Sequence, residues 1–322
     1  MAKSTASFIA YDVRPEKQIE RRAIVEYLGL ARQSGFTISD YRYVGFGGTK
    51  FIDFQMMERY IGFSDYVSVE RDHDIFNRCK FNKPFHGIRM HEGEFSDFLL
   101  VDETTRNTVF WVDLESTISP SVAELTNSLA ENAKAGDVVF FTICAEPPAG
   151  TGRKSDRQRK DVIRSKFPAM KSLIASLPAN NFNDKNFPTV SGILLSKMLR
   201  NSFATRRQDG IFNIHLKIIY ADSANMCTIG GVFGKRKSGS AAKLGRAVRA
   251  KMSPIYKGKE REFYRIPQFN FTELERILLH KSDMTKQDGY SRRLQQLGIE
   301  RGTLEEYERI ARFVPKYIET AF

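Results

Sequence analysis

The sequence contains little of what builds disulfide frameworks or metal sites. It has three cysteines, Cys79, Cys144 and Cys227, and five histidines in 322 residues. The cysteines lie far apart and match no ligand spacing, and neither HxxxH nor HExxH occurs. We therefore expect buried free thiols in a reducing compartment and no metal centre.

Long apolar runs are missing as well. No apolar segment approaches the ~18 residues that a membrane-spanning helix needs, and the first residues lack the apolar core of a secretory signal. With 41% apolar and 27% charged residues, the composition is typical of a soluble globular protein. These features predict a cytoplasmic protein without a membrane partner.

Charge is distributed unevenly along the chain, whose formal net charge is +12. Residues 1–150 carry 16 Lys and Arg against 22 Asp and Glu, whereas residues 151–322 carry 34 against 16. The second half could attract phosphate-rich partners, although a basic balance alone does not establish binding.

Short apolar segments alternate with helical patterns from residue 40 to residue 145. The strand-like segments are YRYVGF, YVSVE, GIRMHEG, TVFWVDL and DVVFFTIC. Their alternation with helical patterns predicts an α/β protein with parallel strands and crossover helices. Two further strands, predicted over 212–221 and 226–234, are joined by a short connection and should form an antiparallel hairpin.

Helical patterns flank this core. Pro15 and the apolar stripe that follows it predict a helix over 15–33, where Arg14, Lys17 and Gln18 could cover a ligand or form an exposed face. The predicted domains are an N-terminal helical segment (1–39), a core (40–235) with a basic insertion (146–170), and a basic linker with a helical extension (236–322).

The stretch YVGFGGTKFIDF, residues 43–54, reads as a strand, a glycine-rich turn and the start of a helix. Its glycines would let bare backbone approach a ligand. A dinucleotide-binding turn needs a glycine where Lys50 stands, and AGTGRKS at 149–155 does not match a phosphate-binding loop. Lys50 thus disfavours a dinucleotide without excluding it. S-adenosylmethionine is the third candidate, and its ribose would need a carboxylate such as Glu70 after the second strand.

Four motifs resemble those of the class I S-adenosylmethionine-dependent methyltransferases. They are V-G-F-G-G at 44–48, V-E-R-D at 69–72, E-G-E-F at 92–95 and V-D-L-E at 112–115. The resemblance covers roughly residues 40–235. It implies a Rossmann-like fold: a seven-stranded, mostly parallel sheet with an antiparallel last strand and helices on both faces.

The resemblance also implies the cofactor, S-adenosylmethionine, and the residues that bind it. The first motif would hold the methionine part, the second the ribose, and the third the adenine, with an aromatic ring beside it. The predicted cofactor-binding residues are Gly45, Phe46, Gly47, Gly48, Glu70, Arg71, Glu94 and Phe95.

Asp113 and Glu115 follow the fourth strand, which faces the methyl group in the resembled superfamily. These acids could take a proton from a hydroxyl or amine nucleophile, or they could only cap the next helix. Enzymes that methylate base amines typically carry [NDS]-P-P-[YF] at this place. The sequence here is Asp-Leu-Glu-Ser, so that recognition motif is absent.

A basic segment follows the fifth strand. Its cations could neutralise successive phosphates or belong to a solvated loop. The predicted substrate-binding residues are Arg153, Lys154, Arg157, Arg159 and Lys160. Together with the basic residues of 234–251, they could form one cationic surface.

The sequence thus predicts a methyltransferase that acts on an oxygen or nitrogen nucleophile of an anionic substrate, with RNA and DNA among the candidates. The alternative is a catalytically inactive module that keeps the methyltransferase-like fold and binds nucleotide or nucleic acid.

Overall fold

The computed structural model describes residues 14–152, 154–206, 210–221, 223–235, 239–281 and 289–314. The strands are β1 (Arg42–Gly45), β2 (Asp65–Glu70), β3 (Ile88–Glu92), β4 (Thr108–Thr117), β5 (Val138–Cys144), β6 (Gly210–Ala221), β7 (Asn225–Lys235) and β8 (Tyr264–Arg265). The helices are α1 (Pro15–Gln33), α2 (Ile52–Tyr60), α3 (His73–Phe81), α4 (Phe95–Val101), α5 (Pro120–Asn132), α6 (Asp156–Lys166), α7 (Lys171–Ala175), α8 (Phe187–Arg206), α9 (Gly239–Lys251), α10 (Glu273–Lys281), α11 (Gly289–Gln296) and α12 (Arg301–Ile310).

These strands form one sheet in the order β3-β2-β1-β4-β5-β7-β6-β8. Strands β1 to β5 pair in parallel, and β7 runs antiparallel to both β5 and β6. This arrangement confirms the predicted Rossmann-like fold, to which β8 adds an eighth strand of two residues. The strand order reverses between β1 and β4, so a crevice for a ligand is expected at their carboxyl ends.

Two apolar cores cover the two faces of the sheet. On the first, the α1 face, α1, α2, α9 and α12 pack through residues such as Ile24, Met57 and Leu244. On the second, the α8 face, helices α4 to α8 pack through residues such as Leu129 and Leu199. Burial on both faces explains why the central strands read as continuous apolar runs rather than alternating ones.

Helix α1 has the bounds that the sequence predicts. Pro15 occupies its first turn, Arg32 lies in its last turn, and Gly35 follows with φ +101°. The helix packs against α9, which occupies much of the segment predicted as a basic linker. Leu244 and Val248 of α9 are buried because its apolar stripe faces the same core as α1.

The two basic segments lie on opposite sides of the sheet. Helix α6 buries Ile163 in the core of the α8 face, whereas α9 buries Val248 in the core of the α1 face. The expectation that these segments form one cationic surface was therefore wrong. Both segments lie near the β6–β7 hairpin in the sequence, but this closeness does not determine which face of the sheet each helix covers. Within the described ranges, no helix combines the length and apolar character that crossing a membrane requires.

Candidate active site

The glycine turn begins where β1 ends. Gly48 has φ +53°, and a Cβ built on it would meet no atom within 4 Å, so its backbone borders open space. Gly47 is constrained by the protein itself: its N–H donates to Ser68 Oγ at 3.0 Å, and an added Cβ would lie 2.4 Å from the Phe51 ring. The turn therefore has open backbone at Gly48, while Gly47 allows close packing beneath it.

Phe51 explains the tight packing under the turn. It is fully buried and has φ 51°, a left-handed conformation that is uncommon for a bulky residue. Its N–H donates to the carbonyl of Gly47 at 2.9 Å, which closes the turn before α2 begins. Gly45 is also confined, because a Cβ there would lie 2.9 Å from the Tyr43 hydroxyl.

The carboxylate of Glu70 lies at the end of β2, half-buried. Its Oε1 accepts from the N–H of Asp72 at 3.0 Å. Burial raises the pKa of Glu70, while the N–H groups of Asp72 and Arg71 act in the opposite direction. A half-buried acceptor at this edge suits a ribose hydroxyl, which donates a hydrogen bond.

The end of β3 is more exposed. Arg71 and Glu94 form an ion pair at 3.4 Å with most of both side chains in solvent. Phe95 is only 4% exposed and belongs to the core of the α8 face, where its ring lies 5.7 Å from that of Phe46. Phe46 is the half-buried ring of the two and lies in the glycine turn itself.

Asp113 lies near the carboxyl end of β4 and meets a side chain from α1. Lys17 Nζ donates to Asp113 Oδ2 at 2.6 Å and lies 5.1 Å from the centre of the Trp111 ring. The Lys17 side chain is 4% exposed and that of Asp113 27%. Although burial by itself lowers the pKa of Lys17, the carboxylates of Asp113 and Glu20 raise it above its usual range.

Further polar groups complete this buried network. Lys17 Nζ lies 2.7 Å from Glu20 Oε2 and donates to the Tyr220 hydroxyl at 3.0 Å. The hydroxyls of Thr228 and Thr142 both donate to Glu20 Oε1. Four strands and α1 thus contribute to one hydrogen-bonded cluster at this edge of the sheet.

A second ion pair ties α1 to the helix after the glycine turn. Arg21 Nε donates to Asp53 Oδ1 at 2.5 Å, with 3% and 15% of the two side chains exposed. Asp53 lies in the first turn of α2, where a carboxylate can simply complement the helix dipole. The structure instead pairs it with a buried guanidinium, so α1 contacts both sides of the crevice.

Glu115 lies two residues beyond Asp113 on the same strand. Its side chain is exposed, whereas Asp113 is only partly exposed. The pairing of β4 with β5 shifts register between Asp113 and Thr117, which separates the environments of the two acids. Asp113 therefore joins the buried network, and Glu115 lies at its solvent side.

The predicted substrate-binding cations differ in how far they are exposed. Arg153 lies outside the described residues, and Lys154 and Arg157 are exposed. Arg159 is 3% exposed, and its guanidinium donates to the carbonyl of Phe182 at 2.6 Å and to Asp184 at 2.8 Å. The prediction for Arg159 was wrong, because its donors are used inside the protein.

Lys160 also interacts with backbone. Its ammonium donates to the carbonyls of Ala175 and Leu177 at 2.9 and 2.5 Å. Of the five predicted cations, Lys154 and Arg157 are exposed among the described residues. A phosphate-binding surface at the start of α6 would depend on these two residues among the described ones.

Sequence reasoning left Glu20, Arg21 and Tyr220 out of the candidate site. A signal was present: Lys17, Glu20 and Arg21 lie three and four residues apart and continue the apolar stripe of α1 toward its N-terminus. Charged residues on a buried stripe need partners. Tyr220 had no such signal, because a buried tyrosine in a strand is more often simply part of a core.

A cavity of about 850 Å³ lies at the outer edge of β3, away from the glycine turn. Arg42 and Asp102 line it near the opposite, amino end of β1, so it is separate from the crevice at the carboxyl ends. Among the described residues, no group of three or more His, Cys, Asp or Glu side chains could hold a metal ion.

The residues at the carboxyl edge fit S-adenosylmethionine in three respects. Gly48 presents open backbone, Glu70 offers a carboxylate after β2, and Asp113 supplies a charged group at the end of β4. The first can receive an amino acid, the second a ribose diol, and the third lies where a nucleophile would approach.

Comparison with known proteins gives a family. A family model with the description "Putative O-methyltransferase" matches residues 9–322. No curated protein matches the chain.

Solved structures with a similar fold are distant in sequence. Trm1 from Pyrococcus horikoshii with S-adenosyl-L-methionine is 11% identical, with a TM-score of 0.46 over 74% of this chain and 60% of that one. A putative O-methyltransferase from Klebsiella pneumoniae is 10% identical, with a TM-score of 0.40 over 70% and 84%. Human N-acetylserotonin methyltransferase with SAM is 11% identical, with a TM-score of 0.35 over 73% and 61%. The chain spans about three fifths of the length of the first and third proteins.

Proposed function

This chain belongs to the family described as putative O-methyltransferases, and from that premise we propose that it transfers a methyl group from S-adenosylmethionine to an oxygen of an anionic substrate. The observation that carries the proposal is the Lys17–Asp113 ion pair, 2.6 Å long, at the carboxyl end of β4. It lies at the reversal of strand order, where a doubly wound sheet binds its ligands.

The cofactor would be held by the residues of the first three motifs. Gly45, Gly47 and Gly48 would surround its methionine part, Glu70 its ribose, and Glu94 its adenine amine. Bound S-adenosylmethionine supplies a methyl group already activated by its sulfonium, so the protein has mainly to orient the nucleophile and exclude water.

Asp113 is the residue that we assign to the acceptor. As a carboxylate it accepts the proton of an acceptor hydroxyl while the oxygen becomes methylated. Because 27% of its side chain is exposed, it can then release that proton to solvent. Glu115, which is exposed beyond it, would contact the outer part of the substrate.

Exposed positive charges support an anionic substrate. Lys154 and Arg157 are exposed on the segment that follows β5. Cations at the carboxyl edge of the sheet would attract a phosphate or carboxylate on the acceptor. RNA and DNA remain candidates for the substrate, together with small anionic hydroxyl compounds.

Calorimetric titration of S-adenosylmethionine tests the cofactor site. Gly48→Asn should weaken binding at least tenfold, because asparagine tolerates positive φ but fills the open space. Gly62→Asn is the matched control: Gly62 also has positive φ, +66°, but lies at the far end of α2. Equal affinities for both variants and the unmodified protein would remove the glycine turn from the site.

Transfer of a tritiated methyl group identifies the acceptor. The protein and labelled S-adenosylmethionine would be incubated with separate RNA, DNA and small-metabolite fractions. We expect label in one fraction, held as a methyl ether or ester. Binding of the cofactor without label in any fraction would favour the alternative, a methyltransferase-like module without catalysis.

A further inference from the structure

Helix α1 buries a lysine whose ammonium lies between three oxygen atoms of the protein. Lys17 Nζ donates to Asp113 at 2.6 Å and to Tyr220 at 3.0 Å, and lies 2.7 Å from Glu20. A buried ammonium requires such compensation, since its desolvation costs several kcal/mol even after relaxation. An apolar residue at position 17 would avoid that cost, so the cluster calls for an explanation beyond stability.

Asp113 is the member of this cluster that reaches solvent. Its side chain is 27% exposed, against 4% for Lys17 and 0% for Glu20. Tyr220 is buried as well. Whatever the cluster does for a ligand, it therefore does through the carboxylate of Asp113.

The cluster is also held in place on its other side. Arg21, one turn after Lys17, pairs with Asp53 in the first turn of α2, directly after the glycine turn. The start of α1 is thereby fixed to both the cofactor side and the β4 side of the crevice. A helix anchored in this way can maintain the position of a side chain to the accuracy that in-line transfer requires.

We infer that Lys17 is a positioning residue for methyl transfer, which holds the Asp113 carboxylate beside the transferred methyl group from the buried side. The inference rests on the proposed function. Lys17 does not touch the acceptor, because its side chain is only 4% exposed and Asp113, Glu20 and Tyr220 surround its ammonium. It neutralises Asp113, fixes its rotamer and leaves the solvent-facing side of the carboxylate for the acceptor.

Two cofactor analogues test this without an identified acceptor. S-adenosylhomocysteine lacks the methyl group, and in sinefungin a carbon that bears an ammonium group replaces the methylated sulfur. The ratio of their affinities therefore reports the charge beside the methyl position. Asp113→Asn should lower the preference for sinefungin at least tenfold, because the carboxylate beside the ammonium is lost while Lys17 stays positively charged.

Lys17→Met should change the ratio in the opposite direction, at least tenfold in favour of sinefungin, because Asp113 is released to pair with the ammonium. The double variant Lys17→Met/Glu20→Gln removes one buried charge of each sign, and should show the same gain even where the single variant folds poorly. Lys17→Arg keeps the cation and should stay close to the unmodified protein.

The outcomes separate the inference from the proposed function. Failure of the unmodified protein to bind S-adenosylhomocysteine would overturn both. Normal binding with a ratio that stays within twofold in all variants would overturn the inference alone. A purely structural role for Lys17 predicts that second result, since loss of stability weakens both analogues equally.

Discussion

Two buried cations on opposite faces of the sheet differ in what surrounds them. Lys17, on the α1 face, is held by two carboxylates and a tyrosine hydroxyl. Arg159, on the α8 face, donates to the carbonyls of Phe182 and Thr151 and to Asp184, whose side chain is 76% exposed. Both cations are at most 4% exposed.

Burial of a charge does not by itself indicate a functional site. The partners of Arg159 are mostly backbone carbonyls, which do not titrate. Arg159 therefore links the chain before α6, at Thr151, to the chain after α7, at Phe182. The partners of Lys17 include a carboxylate that reaches solvent at the carboxyl end of β4. Acid–base character and access to the crevice distinguish the two positions.

The largest effect is expected at Asp113. Asp113→Asn should reduce turnover by about 10²–10⁴, because an amide cannot take the acceptor's proton. The affinity for S-adenosylmethionine should change far less, which initial rates and calorimetry would establish together. Glu115→Gln is the control, since its exposed position predicts a smaller loss. Unchanged turnover in Asp113→Asn would make its pairing with Lys17 purely structural.

Arg159 should give the opposite result. Arg159→Met leaves the buried carbonyl of Phe182 without the donor that it has from Arg159, at roughly 1–3 kcal/mol for the unsatisfied group, whereas the carbonyl of Thr151 keeps the N–H of Lys154. The free energy of unfolding, measured in urea, should fall accordingly, while cofactor affinity stays the same in the folded protein. A loss of cofactor affinity without a loss of stability would instead indicate that Arg159 takes part in binding.

His215 provides a test of a buried polar group without charge on the α1 face. Tyr27 and His215 Nδ1 are hydrogen-bonded at 2.9 Å, and burial lowers the pKa of His215 to about 4 from 6.5. The unfolded chain therefore binds a proton that the folded protein does not, and stability should fall as the pH drops from 6.5 toward 4. The total loss should be about 3 kcal/mol.

His215→Asn should remove this part of the acid dependence. Urea unfolding at pH 7 and at pH 4.5 would measure it in both proteins. An identical slope of stability against pH in the variant would assign the acid sensitivity to other groups.

Glu70→Ala tests the ribose contact. Loss of a charge-assisted hydrogen bond should weaken S-adenosylmethionine binding by about 1–3 kcal/mol. Glu92 lies opposite Glu70 in the register of β3 and β2 and pairs with His73, so Glu92→Ala is a matched control. Equal affinities of the two variants for S-adenosylmethionine would show that Glu70 does not bind the ribose.

The smallest effect concerns the surface cations. If nucleic acid binds at the start of α6, replacing Lys154 and Arg157 with Ala should reduce the slope of log affinity against log salt by about 1.8, at ~0.9 per phosphate. Lys243→Ala/Arg246→Ala on α9 is the control on the opposite face. Binding that does not respond to salt in the unmodified protein would exclude a polyanionic substrate at either surface.

Much of the fold could be predicted because its signals are local. Pro15 and the apolar stripe after it predicted α1 over 15–33, the alternating apolar runs predicted parallel strands, and the resemblance implied an antiparallel last strand; all three are confirmed. The family match confirms the predicted methyltransferase. Strand β8 could not be predicted, because two residues carry no periodicity and pair only through the distant β6.

The site was predicted less completely, because its chemistry depends on contacts across the sheet. The roles of Gly48, Glu70 and Asp113 remain predictions that their positions at the carboxyl edge support. Arg159 was predicted to bind substrate but is buried. Ile163, four residues later on the same face of α6, is buried as well and could have indicated this. A periodic pattern can show that a charged residue faces inward, but it cannot show which distant group will neutralise it.

The order of synthesis sets a constraint on how this site can form. Helix α1 leaves the ribosome before the strands, yet Tyr220 lies 203 residues after Lys17, and Thr228 lies 208 residues after Glu20. Until β6 and β7 are made, the charged residues of α1 have no complete set of partners and stay hydrated. The crevice beside α1 can therefore be completed only after most of the chain has emerged from the ribosome. Long-range contacts of this kind make folding slow. In a nascent chain that ends before β6, α1 should not yet be packed against the sheet, and the chain should have no affinity for the cofactor.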